Sequence, residues 1–210
     1  MSAGEIKNAA VSHARRQPIN LPATMNDTPA SKSPKVVTTK GIGSSALLGS
    51  DSFPLVLDVC CGPKGMWFDK HDPRALFMDR RRETHVDTYP CGTKTNVIDP
   101  CVVGDFSKMD FPDESFRLVV FDPPHIEQTG VSQITKKYGS LQGDWREMLR
   151  AGFAECLRVL KPGGVLIFKW NECRFPVKDI LALTDAKPLF GHKSGKKMQT
   201  HWVAFLKQNA

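Results

Sequence analysis

Hydrophobic and polar positions alternate along this chain in a way that changes character near residue 50. Residues 1–50 are rich in Ser, Thr, Ala, Pro, Lys and Asn and hold no sustained period of 2 or 3.6, so residues 1–50 read as a flexible basic tail. From Ser52 onward, short apolar runs recur between polar segments. Pro54 to Cys60, Arg74 to Met78, Val97 to Val103, Phe116 to Phe121 and Val165 to Trp170 have strand length. A short helix is expected over Gly65 to Lys70, stopped before Pro73. Residues 80–97 are polar with a hairpin signal at Pro90-Cys91-Gly92, and residues 126–143 read as a long polar loop.

Asp144 and Glu147 have the spacing of a capping box. Leu149, Phe153, Cys156, Leu157 and Leu160 then fall on one helical face, which Lys161-Pro162-Gly163-Gly164 is expected to stop through a glycine cap. Val177 to Thr184 is a second helix. Lys187 to Phe190 and His201 to Lys207 are final strands joined by a loop too short for a crossover, so they should form an antiparallel hairpin. Buried-type strands alternating with helices predict an α/β fold: a Rossmann-like, doubly wound, mostly parallel sheet with an antiparallel C-terminal hairpin strand, spanning residues 51–210.

Composition narrows the possible partners. The 210 residues hold 29 Lys plus Arg against 22 Asp plus Glu, a net charge of +7. The surplus divides into +4 over residues 1–50, −2 over 51–186 and +5 over 187–210. Two basic ends on a near-neutral body suit a polyanion such as nucleic acid, and equally suit a solvated surface. No apolar run approaches membrane-spanning length, and residues 1–30 contain no apolar leader core, so a cytoplasmic protein is expected. The six cysteines form no CxxC pair, and neither a disulfide framework nor a metal site is expected.

The candidate chemistry sits at the carboxyl ends of the strands, where doubly wound sheets bind ligands. The first strand ends in Cys61-Gly62-Pro63-Lys64-Gly65, whose glycines would let a ligand approach the backbone. Asp79 ends the second strand and is placed to accept from ribose hydroxyls, and Asp105 ends the third. The fourth ends in Asp122-Pro123-Pro124-His125. Two prolines fix an extended backbone and set a carboxylate beside a free carbonyl. Both are acceptors, and they match an amino group with two N–H donors; His125 adds a flat ring for a base to stack on.

These residues resemble the class I S-adenosylmethionine-dependent methyltransferases, and within them the enzymes that methylate adenine N6 or cytosine N4. Asp58-Val59-Cys60-Cys61-Gly62-Pro63-Lys64-Gly65 is a variant of that family's Asp-x-x-Cys-Gly-x-Gly motif, and Asp122-Pro123-Pro124 fits its catalytic motif. Lys161-Pro162-Gly163-Gly164 is frequent in the superfamily. With Lys169-Trp170-Asn171 and Gly191-His192-Lys193-Ser194-Gly195, the pattern resembles small phage and prophage methyltransferases carrying Asp-Pro-Pro-His.

The resemblance covers about residues 54–207 and implies a seven-stranded sheet with S-adenosylmethionine as cofactor. Asp58, Cys60, Gly62, Gly65, Asp79, Asp105 and Phe106 would hold the cofactor. Asp122, Pro123, Pro124 and His125 would be catalytic, with DNA favoured over RNA. Lys136, Lys137 and Tyr138 in the loop, and His192, Lys193, Lys196 and Lys197 in the last hairpin, are candidate nucleic-acid contacts. The sequence departs from the family in placing His125 where an aromatic ring is usual, and it leaves no room for a separate target-recognition domain. RNA bases, small amines, a non-catalytic nucleic-acid-binding subunit and a nicotinamide-dependent dehydrogenase stay open as alternatives.

Overall fold

Short apolar runs pair into one seven-stranded sheet in the computed structural model, which describes residues 53–127 and 132–208. The strands in chain order are β1 (Val56–Asp58), β2 (Ala75–Asp79), β3 (Glu83–Tyr89), β4 (Gly92–Ile98), β5 (Val102–Val103), β6 (Phe116–Phe121), β7 (Leu160–Asn171), β8 (Phe190–Ser194) and β9 (Thr200–Leu206). The helices are α1 (Gln133–Tyr138), α2 (Trp145–Val159) and α3 (Val177–Leu181). The main sheet runs β5-β2-β1-β6-β7-β9-β8, while β3 and β4 form a separate hairpin. Strands β5, β2, β1, β6 and β7 are parallel, and β9 runs antiparallel to both β7 and β8. This is the expected α/β architecture with its reversed C-terminal strand. The tail expected over residues 1–50 lies outside the described residues, which all belong to the unit Ala46–Ala210.

The main core lies between the sheet and α2. Leu149, Phe153 and Cys156 of α2 are fully buried against Val119 and Phe121 of β6 and Phe168 of β7. The Phe121 and Phe153 rings meet edge to face at 5.3 Å. Asp144 caps α2 by accepting from the Glu147 N–H at 3.2 Å, as the spacing predicts. The other sheet face carries a smaller cluster of Cys61, Ala75 and Phe77, with Val56 and Trp67 packed against it.

Several local expectations are corrected. The segment Gly65 to Lys70 forms turns, not a helix. Its polar side chains compete for the backbone: Asp69 accepts from the His71 N–H and Asp72 from the Arg74 N–H. Trp67 turns inward onto Phe77, with ring centroids 4.8 Å apart. The run Val97 to Val103 is two strands, because Asp99-Pro100 interrupts it and proline gives no N–H to a ladder. The loop 126–143 contains α1, capped by a Ser132 and Thr135 box that the polar composition hides.

Helix α2 ends at Val159 without a glycine cap. Leu160 is extended, and residues 161–164 join β7 through a register shift against β6 between Phe116 and Leu118. Strand β8 begins at Phe190, where the expected strand ends, because its residues pair with Thr200 to Ala204. Helix α3 is shorter than expected, ending at Leu181. No helix among the described residues is long and apolar enough to cross a membrane.

Candidate active site

The carboxyl ends of β1, β2, β6 and β7 surround one cleft of about 790 Å³. Cys60, Gly62, Gly65, Asp79 and Phe106 line one part of it, and Asp122, Pro123, Pro124 and His125 line another. Lys136, Lys137 and Tyr138 of α1 also reach the cleft. Asp58, Asp105, His192, Lys193, Lys196 and Lys197 do not line it. Among the described residues no cluster of His, Cys, Asp or Glu could hold a metal ion.

The turn after β1 is built from backbone and carboxylates. Gly62 has φ 49, a left-handed conformation in which a side chain is strained, and its N–H donates to Asp79 Oδ2 at 2.9 Å. The other oxygen of Asp79 accepts from the Arg81 N–H at 2.9 Å. Asp58 is fully buried below this turn, where it accepts from the Trp67 indole N–H at 2.7 Å and the Cys60 N–H at 3.2 Å. Burial pushes its carboxyl up to about 7, against the lowering effect of those two hydrogen bonds. Burial, reinforced by Asp79 and Asp58, also pushes the Cys60 thiol well above its ordinary range, so it is a neutral lining group. Asp105 accepts from the backbone N–H and hydroxyl of Ser107, holding the turn that carries Phe106 into the cleft.

The part after β6 is organised differently. Asp122 Oδ2 accepts from Lys169 Nζ at 2.5 Å, and Oδ1 takes no hydrogen bond among the described residues. Burial raises the Asp122 carboxyl above its ordinary value, while the Lys169 charge and hydrogen bond pull it down. The burial effect is the larger, so the carboxyl stays above its ordinary value. His125 is pushed below its ordinary pKa by burial and stays neutral near pH 7. Its ring meets Trp170 edge to face at 6.2 Å.

Helix α1 closes over both parts. Arg81 Nη1 donates to the Lys136 carbonyl at 2.9 Å and lies 3.0 Å from Glu83 Oε1, so one guanidinium ties the β2 end to the α1 C-terminus. Gly139, at φ 76, caps α1 where a Cβ would stand 3.2 Å from Pro124. Lys136 pairs with the buried Asp87 at 3.6 Å, which commits part of its charge to the β3–β4 hairpin. Lys193 pairs with Glu172 at 3.1 Å, away from the cleft.

Sequence reasoning misses Lys169, Arg81 and the Asn171–Thr200 pair, which lies at 3.0 Å on the cleft wall. Lys169 leaves one readable signal, a charge that interrupts the apolar run of β7. Arg81 follows Asp79 closely, but nothing local shows that it reaches α1. Trp145, at the start of α2, is buried, and its indole donates to Glu127 at 2.7 Å.

Fold and cleft together define a doubly wound α/β protein with a cleft at its strand ends. Neither a protein-family model nor a curated protein matches the sequence. Solved structures do resemble it. A TehB-like S-adenosylmethionine-dependent methyltransferase from Corynebacterium glutamicum is 16% identical, covering 73% of this chain and 79% of its own, with a TM-score of 0.47. An S-adenosylmethionine-dependent methyltransferase from Methanosarcina mazei is 13% identical over 74% of this chain and 92% of its own, with a TM-score of 0.46. The N-methyltransferase NodS from Bradyrhizobium japonicum is 11% identical over 73% and 85%, also at 0.46.

Proposed function

We propose that this chain transfers a methyl group from S-adenosylmethionine to an exocyclic amino group of a nucleic-acid base, with adenine N6 in DNA as the preferred acceptor. The observation that carries the reading is the pairing, in one cleft, of a glycine turn with a carboxylate that keeps one oxygen unoccupied. The choice of base and polymer comes from the sequence resemblance.

The residues present suit the cofactor. Nothing lies within 4 Å of where a Cβ on Gly65 would stand, so the cleft is open against the backbone there. Asp79 has lone pairs left for ribose hydroxyls, because each of its oxygens can accept more than one hydrogen bond. Gly62, Gly65, Asp79 and Phe106 would hold the cofactor, and bound there it would supply an electrophilic methyl group on a sulfonium.

The chain's own groups act on the amine. An exocyclic amino nitrogen shares its lone pair with the ring and is a poor nucleophile. Asp122 Oδ1 and the Pro123 carbonyl accept its two hydrogens and bend it towards tetrahedral geometry, which directs the lone pair out of the ring plane. This is positional and electrostatic catalysis. After transfer the nitrogen carries a surplus proton, which leaves through Asp122. Pro123 and Pro124 keep the acceptors rigid. Neutral His125 offers a ring face to a base out of its stack, so single strands or flipped bases are the substrate form. Lys137 at the cleft, with Lys196 and Lys197 on the β8–β9 hairpin, would contact phosphates.

The test uses the full chain, labelled S-adenosylmethionine and matched DNA and RNA, followed by mass spectrometry of the released nucleosides. N6-methyladenine from DNA is the expected product. Label in neither polymer overturns the reading, and label in RNA alone overturns the choice of DNA.

A further inference from the structure

Strand β7 carries an ammonium group directly beside Asp122. The registers explain how it arrives there. Phe121 pairs with Phe168 across β6 and β7, and both rings are fully buried in the main core. Side chains alternate along strands, so the next residues, Asp122 and Lys169, both leave on the opposite side. Lys169 also pairs with Trp202 of β9, and its Nζ stands 5.5 Å from that ring's centroid. A carboxylate, an ammonium and an indole thus stand side by side across three neighbouring chain segments. The Asp122 and Lys169 side chains are only 19% and 25% exposed.

We propose that Lys169 is a positioning residue for the transfer: its ammonium clamps Asp122 Oδ2, fixes the carboxylate rotamer and leaves Oδ1 free for the amino group of the substrate. This rests on the methyltransferase reading above.

Partial burial of a lysine is unfavourable unless it meets a partner, and an apolar residue in this strand would give the sheet the same packing. The lysine therefore contributes something packing does not supply. With Oδ2 held by the ammonium, the carboxylate is fixed in orientation and Oδ1, with no partner among the described residues, is presented to one N–H. Lys169 also opposes the effect of burial on Asp122, favouring the ionised acceptor near neutral pH. The other titratable groups near Asp122 do not replace it. His125 is held neutral by burial, Asp58 is a carboxyl, and Cys60 is a neutral thiol.

The experiment compares Lys169→Met and Lys169→Arg with the wild-type full chain. The Asp122 carboxyl is titrated by carbon NMR, and the pH profile of kcat is measured alongside the KM values. Lys169→Met is expected to raise the Asp122 midpoint by about 1 pH unit or more, the size of effect an adjacent cation has on a carboxylate. It should lower kcat at pH 7 about a hundredfold, with partial recovery as pH rises and Asp122 ionises. KM values should stay near wild type. Lys169→Arg should restore both the midpoint and the profile. If Lys169→Met unfolds, Lys169→Gln keeps most of the stem and is read the same way.

An Asp122 midpoint or kcat profile unchanged in Lys169→Met overturns the role. A profile that falls equally at all pH values overturns it too, because a purely structural loss behaves so. If the wild-type chain methylates no nucleic acid, the function proposed above fails, whatever the carboxyl titration reads. If it does methylate and the methionine variant keeps the wild-type profile, only the role of Lys169 fails.

Discussion

The two parts of the cleft use carboxylates in opposite ways. At the β1 and β2 ends, Asp58 and Asp79 each accept hydrogen bonds on both oxygens, from the Trp67 indole and from backbone N–H groups of Cys60, Gly62 and Arg81. Both residues are buried. At the β6 end, Asp122 has one oxygen held by Lys169, and the other takes no hydrogen bond among the described residues. Asp58 and Asp79 each commit part of both oxygens to the fold, and Asp79 keeps further lone pairs for a ligand; Asp122 keeps one oxygen with no partner among the described residues. The difference separates two carboxylates that brace the β1 and β2 turns from one held by a single cation, a distinction the sequence does not show.

Substitutions at the two ends should therefore fail differently. The largest effect is expected for Asp122→Ala, which should lower kcat by about a thousandfold and also lower the thermal midpoint, because Lys169 loses its partner, read by methyl transfer alongside thermal unfolding. Undiminished transfer would make Asp122 no different from its neighbours. Asp79→Ala should act on the cofactor end instead. It strands the Gly62 and Arg81 donors, at a stability cost of about 1–3 kcal/mol. Cofactor affinity should drop roughly tenfold or more, which calorimetry reads directly. Equal affinity would remove Asp79 from the cofactor site.

A smaller effect concerns pH. Asp58 titrates near 7 in the fold and at about 3.8 when unfolded. Below pH 4 both states hold the proton and Asp58 adds no pH dependence. As pH rises from 4 to 7 the unfolded chain releases its proton while the folded chain keeps it, so stability falls across that window. Denaturant titrations should show that this share of the decline disappears in Asp58→Asn; its persistence would show that Asp58 is ionised in the fold. The smallest effect is expected outside the cleft. Lys196→Ala with Lys197→Ala should leave kcat unchanged and reduce the salt dependence of nucleic-acid binding by about 1 in slope for each phosphate no longer neutralised. An unaltered slope would assign these lysines to the solvated surface.

Local chemistry makes much of the scaffold legible. The apolar runs of β2, β6 and β7 and the 3.6-residue period of α2 report burial residue by residue, because each side chain's environment follows from its strand or helix face. Asp122-Pro123-Pro124 is visible for the same reason, since two prolines fix their own backbone. The segment between β1 and β2 reads as a helix from sequence because its decisive interaction, Trp67 to Asp58, is set by burial of a carboxylate below the turn. Helix α1 escapes because its six residues carry no apolar period, and what holds it, Arg81 and Gly139 against Pro124, involves distant parts of the chain.

The sequence by itself determined roughly where β1, β2, β6, β7 and β9 run, that the sheet is mostly parallel with a reversed end, and that acidic and glycine residues fall at strand termini. Periodicity and turn chemistry are local properties, and each residue carries them wherever the chain goes. Only the tertiary structure decided which aspartates accept on both oxygens and which on one among the described residues. That depends on Lys169, which lies 47 positions from Asp122 in sequence and meets it at 2.5 Å across the sheet, and the strand register that brings them together is fixed by the packing of the whole core.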